Sequence, residues 1–223
     1  MINFKSAVVI APHPDDEVLG VGGALSRLVE AGARVSVLFV SGHLPPLYEK
    51  TVFEKTKQEC KAAMKALGVK DYSFLEIPAT LVSDQPVAKL NASISDFITN
   101  RTPDVVFVPF PDRHIDHRII FDSSLVACRP VSEESPICVL AYETLSETYW
   151  NAPGVEPYFI PEFFIDISAQ INKKIEALNY YESQITSVPS RSKEAVLALA
   201  KFRGSQNGCE FAEAFKVIRI ILK

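Results

Sequence analysis

Along the chain, short runs of β-branched and aromatic residues alternate with longer stretches whose apolar positions recur every three or four residues. That alternation predicts an α/β fold, a mostly parallel sheet covered by helices on both faces. The strands are expected at Ala7–Ala11, Val35–Val40, Ser73–Ile77, Val105–Val108, Ile137–Tyr142 and Phe163–Asp166. They are short and apolar, as strands buried on both faces are. Helical period places helices at Glu17–Ala31, Tyr48–Leu67, Pro86–Asn100, Asp116–Ala127, Ile167–Gln184 and Ser192–Lys201, with a short one near Ala212–Ile221. Within the second, Val52, Cys60, Ala63, Met64 and Leu67 are read as the apolar face and Gly68 as the stop. The least regular stretch, Glu143 to Pro161, crowds Tyr149, Trp150, Pro153, Gly154, Pro157 and Tyr158 together, and reads either as a packed surface loop or as the wall of a ligand site.

Length and composition narrow the class. The 223 residues fit a single domain spanning 1–223, with 48% hydrophobic residues to fill a core. The balance of 23 basic against 27 acidic residues gives −4, which offers no global electrostatic case for nucleic acid or an anionic membrane surface. No apolar stretch reaches the ~18 residues needed to span a bilayer. The start of the chain lacks a basic region followed by a long apolar one, so a cytoplasmic location is expected. Cys60, Cys128, Cys138 and Cys209 are scattered without a CxxC pair, which predicts reduced thiols rather than disulfides or a thiolate metal site.

The four histidines, His13, His43, His114 and His117, carry the chemistry. His13-Pro14-Asp15-Asp16-Glu17 follows the first expected strand and opens the first helix, at the carboxyl end of a strand where open parallel sheets bind ligands. Helix capping accounts for one or two of the acids, but not for a histidine between two prolines. A histidine and a carboxylate three residues apart can converge on one divalent ion, with imidazole nitrogen and carboxylate oxygen both suited to zinc.

A second cluster, Asp112-Arg113-His114-Ile115-Asp116-His117, follows the strand at Val105–Val108 on the same sheet edge. Two imidazoles at i and i+3, with aspartates able to orient them through the second ring nitrogen, form a partner to the first cluster. His13, Asp16 and one of His114 and His117 make three ligands with a fourth position open. That is the pattern of a catalytic metal rather than a structural one.

At these residues the sequence resembles the PIG-L/LmbE-like zinc-dependent N-deacetylases, marked by an HPDDE element and an HxDH element about a hundred residues later. His13–Glu17 matches the first and His114–His117 the second. The resemblance continues through Lys174, Ala177-Leu178, Ser183-Gln184 and Ala212-Glu213-Ala214-Phe215. It implies a Rossmann-like three-layer sandwich, with zinc (or another divalent transition metal) held by His13, Asp16 and His117. Asp15 is implied as general base, and a protonated His114 as the group that stabilises the oxyanion or carries the proton. Glu17, Asp112 and Asp116 are expected to orient these side chains. Relatives often carry an arginine where this chain has Thr56, three residues before Glu59, and an acid where it has His43; some thiol-pathway members have histidine where it has Tyr181.

His43, Arg113, Trp150 and Tyr181 are candidate substrate contacts, with Tyr142 a further aromatic that could stack on a sugar. Gly20, Gly22 and Gly23 hint at a nucleotide fingerprint, but the acids before them would repel a pyrophosphate. The reading is a metal-dependent deacetylase whose partner is a small N-acetylated sugar or glycoconjugate, most simply of N-acetylglucosamine type. The alternatives are an amidase of a thiol-pathway conjugate and a non-catalytic metal- or sugar-binding protein. Homo-oligomerisation is left open.

Overall fold

The computed structural model describes residues 4–152, 154–185 and 189–221; of the sequence features above, Pro153 lies outside them. Strands β1 (Ser6–Ala11), β2 (Arg34–Gly42), β3 (Asp71–Pro78), β4 (Val105–Pro109), β5 (Cys138–Tyr142), β6 (Phe163–Asp166) and β7 (Ala212–Ile220) form one seven-stranded sheet in the order β3-β2-β1-β4-β5-β7-β6. The pairings among β1 to β5 are parallel, whereas β7 runs antiparallel to both β5 and β6. The main helices are α1 (Asp16–Glu30), α2 (Lys50–Leu67), α3 (Val87–Thr99) and α4 (Ile115–Ala127), then the short α5 (Leu145–Thr148), α6 (Ile171–Asn179), α7 (Glu182–Ile185) and α8 (Lys193–Ser205).

Three layers follow from the period-two alternation of β1. Ala7, Val9 and Ala11 pack in one core with residues of α1, α2 and α6, while Val8 and Ile10 pack in another with residues of α3 and α4. The α1 layer approaches the sheet closely. A Cβ on Gly20 would lie 2.2 Å from the Tyr142 ring, so glycine is needed there for the close contact.

Three expectations change. The segment expected as a short helix at Ala212–Ile221 is strand β7, filling the gap between β5 and β6; Val217, Ile218 and Ile220 are β-branched, and pairing on both sides overrides the weak local signal. The single helix expected over Ile167–Gln184 is two, α6 and α7, separated at Tyr180 and Tyr181. In α2 the buried face is Phe53, Thr56, Cys60, Ala63, Met64 and Leu67, so Val52 turns outward and Phe53 takes its place. Gly68 does end α2, in the left-handed conformation at φ 79°.

The chain moves from β1 outward through β2 to β3, then returns to lay β4 on the other side of β1. This reversal creates a crevice at the carboxyl ends of β1 and β4, the place where doubly wound sheets bind ligands. His13 follows β1 and His114 follows β4, so both histidine clusters stand on the lips of that crevice.

Candidate active site

The His13 ring reaches two carboxylates: Nδ1 lies 3.2 Å from Asp16 Oδ2, and Nε2 lies 3.0 Å from Asp116 Oδ2. His117 is arranged in parallel, with Nε2 3.2 Å from the same Asp16 oxygen and Nδ1 3.0 Å from Asp112 Oδ2. Each imidazole thus turns one nitrogen toward Asp16 and anchors the other on a buried aspartate. The anchors are themselves fixed. Asp116 Oδ2 accepts the Thr80 N–H at 2.7 Å, and Asp112 accepts the His114 N–H at 3.0 Å and the Thr148 hydroxyl at 3.1 Å.

His13, Asp16 and His117 each place a ligand atom within 4.8 Å of the others and could hold a metal ion. His117 Nε2 is buried without a hydrogen-bond partner, although an Asp16 oxygen lies close by. A lone pair aimed at a shared point with no donor to meet it fits a cation, and two nitrogens with one carboxylate oxygen suit a borderline-soft divalent ion. Electrostatics agree. Burial alone would lower both imidazoles, but Asp116 and Asp16 carry His13 up to about 9, and Asp16 and Asp112 hold His117 well above its ordinary value. Asp16, despite burial, is held well below the carboxylate range, first by His117. The cluster is organised around positive charge.

Asp15 lies beside this centre in a backbone conformation rare for a side-chain-bearing residue, φ 125°. Such positions cost about 1–3 kcal/mol and persist where the surroundings over-determine them. Here the Asp15 N–H donates to Glu17 Oε2 at 3.0 Å, and its carbonyl accepts from Val18 and Leu19 as α1 begins. Burial pushes the Asp15 carboxyl up to about 7, against the pull of Arg191, whose Nη1 is 3.1 Å from Asp15 Oδ2. Glu17, fully buried, is pushed up to about 8. Its carboxylate holds the Asp15 backbone.

His114 caps α4: its Nδ1 accepts the Asp116 N–H at 3.2 Å, which leaves Nε2 as the proton-bearing atom of the neutral ring. Burial, together with the charge of His13 and His117, pushes it down to about 4. These influences favour the neutral ring over the protonated His114 that the resemblance implies.

The remaining expected contacts divide. His43 stands half-buried at the end of β2, its ring 4.4 Å from that of Tyr48. Arg113 pairs with Glu156 at 3.1 Å and lies 5.9 Å from the Trp150 ring, which is 69% exposed. Tyr181 and Tyr142 do not face a ligand. Both are fully buried; the first donates to Glu17 Oε1 at 2.6 Å and the second to the Ile10 carbonyl at 2.9 Å. The irregular stretch from Glu143 supplies Thr148 to Asp112 and Glu147 to Arg191, so it walls the site. Thr56 is buried with its hydroxyl on the Val52 carbonyl, and Glu59 takes the Ser183 N–H and hydroxyl.

Arg191 is the functional residue that sequence reasoning missed. It sits in a one-turn 3-10 helix, Pro189–Arg191, held by Ser146 at 3.2 Å and Glu147 at 3.4 Å, and nothing in its local spacing marks it.

An open α/β sheet with a two-histidine, one-carboxylate centre at its switch point is the class that fold and site define. Residues 8–128 match the PIG-L family, described as GlcNAc-PI de-N-acetylase, and the chain belongs to that family. It is 26% identical over 242 residues to the diacetylchitobiose deacetylase of Thermococcus kodakarensis, covering 97% of this chain and 84% of that one. Among solved structures it superposes with TM-score 0.78 and 27% identity on the conserved protein TT1542 of Thermus thermophilus, covering 100% and 97% of the two chains. The 4-carboxy-2-hydroxymuconate hydratase GalB of Pseudomonas putida shares the fold, with TM-score 0.79 and 19% identity over 98% of each chain. Fold therefore does not choose the chemistry; the site must. Among the described residues, no helix is long and apolar enough to cross a membrane.

Proposed function

We propose that the protein is a zinc-dependent hydrolase that removes the N-acetyl group of an N-acetylated sugar or sugar conjugate. The observation that carries this reading is the paired orientation of His13 and His117, each fixed on a buried aspartate and each turning its other nitrogen toward Asp16, with Asp15 alongside. The diacetylchitobiose deacetylase relative supports the amide and the sugar.

A zinc ion on His13, Asp16 and His117 would bring the pKa of water to about 7 and polarise the acetyl carbonyl. Asp15, next to the ligand Asp16 in the chain and paired through Oδ2 with Arg191, takes the proton of the attacking water. The Arg191 guanidinium, 3.1 Å from Oδ2, restrains that carboxylate. His114, neutral with its proton on Nε2, donates toward the oxygen that becomes negative as the carbonyl is attacked. A divalent cation repels a proton from His114 just as the charged His13 and His117 do, so the ring stays a neutral donor. The C–N bond then breaks, and the amine leaves with the proton that Asp15 collected. Trp150, Arg113 and His43 remain the candidates to meet a sugar ring and its substituents, Trp150 being exposed with Arg113 beside its ring.

Acetate release from a panel of N-acetylated sugars, nucleotide sugars and lipid-linked glycans, with and without chelator, tests this. Release from at least one member that chelator abolishes and zinc restores is expected. No release across the panel refutes the reading.

A further inference from the structure

We propose that the same crevice contains a second, weaker divalent-ion position, formed by His13, His114 and Asp116, and that filling it shuts the enzyme off. The inference rests on the metal-hydrolase reading and adds a regulatory site to it. The ligand atoms of these three residues also lie within 4.8 Å of one another. The two sites share His13 through opposite nitrogens: Nδ1 faces Asp16, and Nε2 faces Asp116. The His13 and His114 rings stand edge to face with centroids 4.6 Å apart. Asp116 is fully buried, and its Oδ1 has no hydrogen-bond partner, so an acceptor lone pair is free beside two imidazoles. Two imidazoles and a carboxylate form the same donor set as the first site.

The second position is weaker for a structural reason. An ion there displaces the proton from His13 Nε2 to solvent, and the ring must then bridge two cations as an imidazolate. The Nε2 bond to Asp116 that fixes the ring for the first ion is lost at the same time. An ion bound through His114 Nε2 replaces the proton that this atom would donate to the substrate carbonyl; that proton passes to Nδ1, at the expense of the bond from the Asp116 N–H. The expected signature is a rate that rises with the first equivalent of zinc and falls as a second binds.

Equilibrium dialysis of the full chain against rising zinc, with bound metal counted directly, tests the site. Two ions per chain are expected in excess zinc for the wild type and for His43→Asn, and one for His114→Asn. Asparagine is a good N-cap, so that variant keeps an acceptor for the start of α4. With cobalt in place of zinc, the wild type should show a second increment of visible absorption beyond one equivalent, absent in His114→Asn. Saturation of the wild type at one ion, or a second ion retained by His114→Asn, overturns the proposal. If the wild type stops at one ion while chelator-sensitive acetate release persists, this inference alone falls; if it binds none, the hydrolase reading falls with it.

Discussion

Asp112→Asn isolates the part of the site that local sequence could only suggest. Both oxygens of this carboxylate face donors: Oδ1 takes the His114 N–H at 3.0 Å, while Oδ2 takes His117 Nδ1 at 3.0 Å and the Thr148 hydroxyl at 3.1 Å. Asparagine has one oxygen and one NH2 group, so it must confront one of these donors with another. If the oxygen stays on His117, the NH2 meets the His114 N–H, leaving a donor unsatisfied at the start of α4 at a cost of about 1–3 kcal/mol. If the amide flips, His117 must move its proton from Nδ1 to Nε2, the nitrogen that faces Asp16 and the ion. Losing such a partner typically weakens metal binding by 10–100-fold, or about 1.4–2.8 kcal/mol. The first outcome lowers stability, and the second lowers metal affinity by tenfold or more. Competition with a chromophoric chelator measures it. Thr148→Val, which removes one donor without forcing a tautomer, should shift the metal dissociation constant much less. Wild-type metal affinity together with wild-type stability in Asp112→Asn would refute the claim that the buried carboxylate sets the His117 tautomer.

Three further outcomes follow from the same geometry. Asp15→Asn should keep its metal, counted by mass spectrometry, while kcat falls by ~10²–10⁴, the usual worth of a positioned general base; unchanged turnover removes Asp15 from that role. Lys174→Met should destabilise the protein by about 3–5 kcal/mol, because it strands the Glu213 carboxylate that Lys174 meets at 2.6 Å in the core beside α1. At roughly 2–4 °C per kcal/mol for a chain of this size, calorimetry should show Tm lower by roughly 6–20 °C, and a drop under ~2 °C contradicts it. Glu17 has its pKa raised from 4.5 to about 8 in the fold, so its contribution to stability is fully present below pH 4.5 and is lost as pH rises through 8. In chelator, Glu17→Gln should flatten that decline, worth on the order of 5 kcal/mol across the window. Superimposable Tm-against-pH curves for the two proteins would exclude it.

Lys174 and Glu213 also show how a sequence signal can be read without its reason. Both stood among the residues carrying the family resemblance, yet only the fold shows that they answer each other. Lys174 donates to Glu213 and to the Leu19 carbonyl, and Glu213 accepts from the Gly23 and Ala24 N–H groups, so two late elements clamp the helix that carries Asp16 and Glu17. Tyr181 illustrates the opposite error. An aromatic aligned with a functional position in relatives reads as a substrate contact, but α6 and the break after it carry it beneath the site, where its hydroxyl supports Glu17. Arg191 had no signal at all. A lone arginine in a Pro/Ser segment has no period or partner spacing, and its importance comes from meeting Asp15, 176 positions earlier in the sequence.

By itself the sequence determined which atoms were available: apolar runs that could only be buried strands, helices recognisable by period, and His/Asp clusters placed just after β1 and β4. Those features are local, so periodicity and motif spacing expose them. The tertiary structure decided that β4 lies beside β1, that β7 is a strand between β5 and β6, and that each imidazole turns a particular nitrogen toward Asp16. These outcomes depend on strand order and on contacts between residues about a hundred apart, such as His13 with Asp116. No local pattern encodes such contacts, because burial and hydrogen-bond satisfaction are settled only when the layers close.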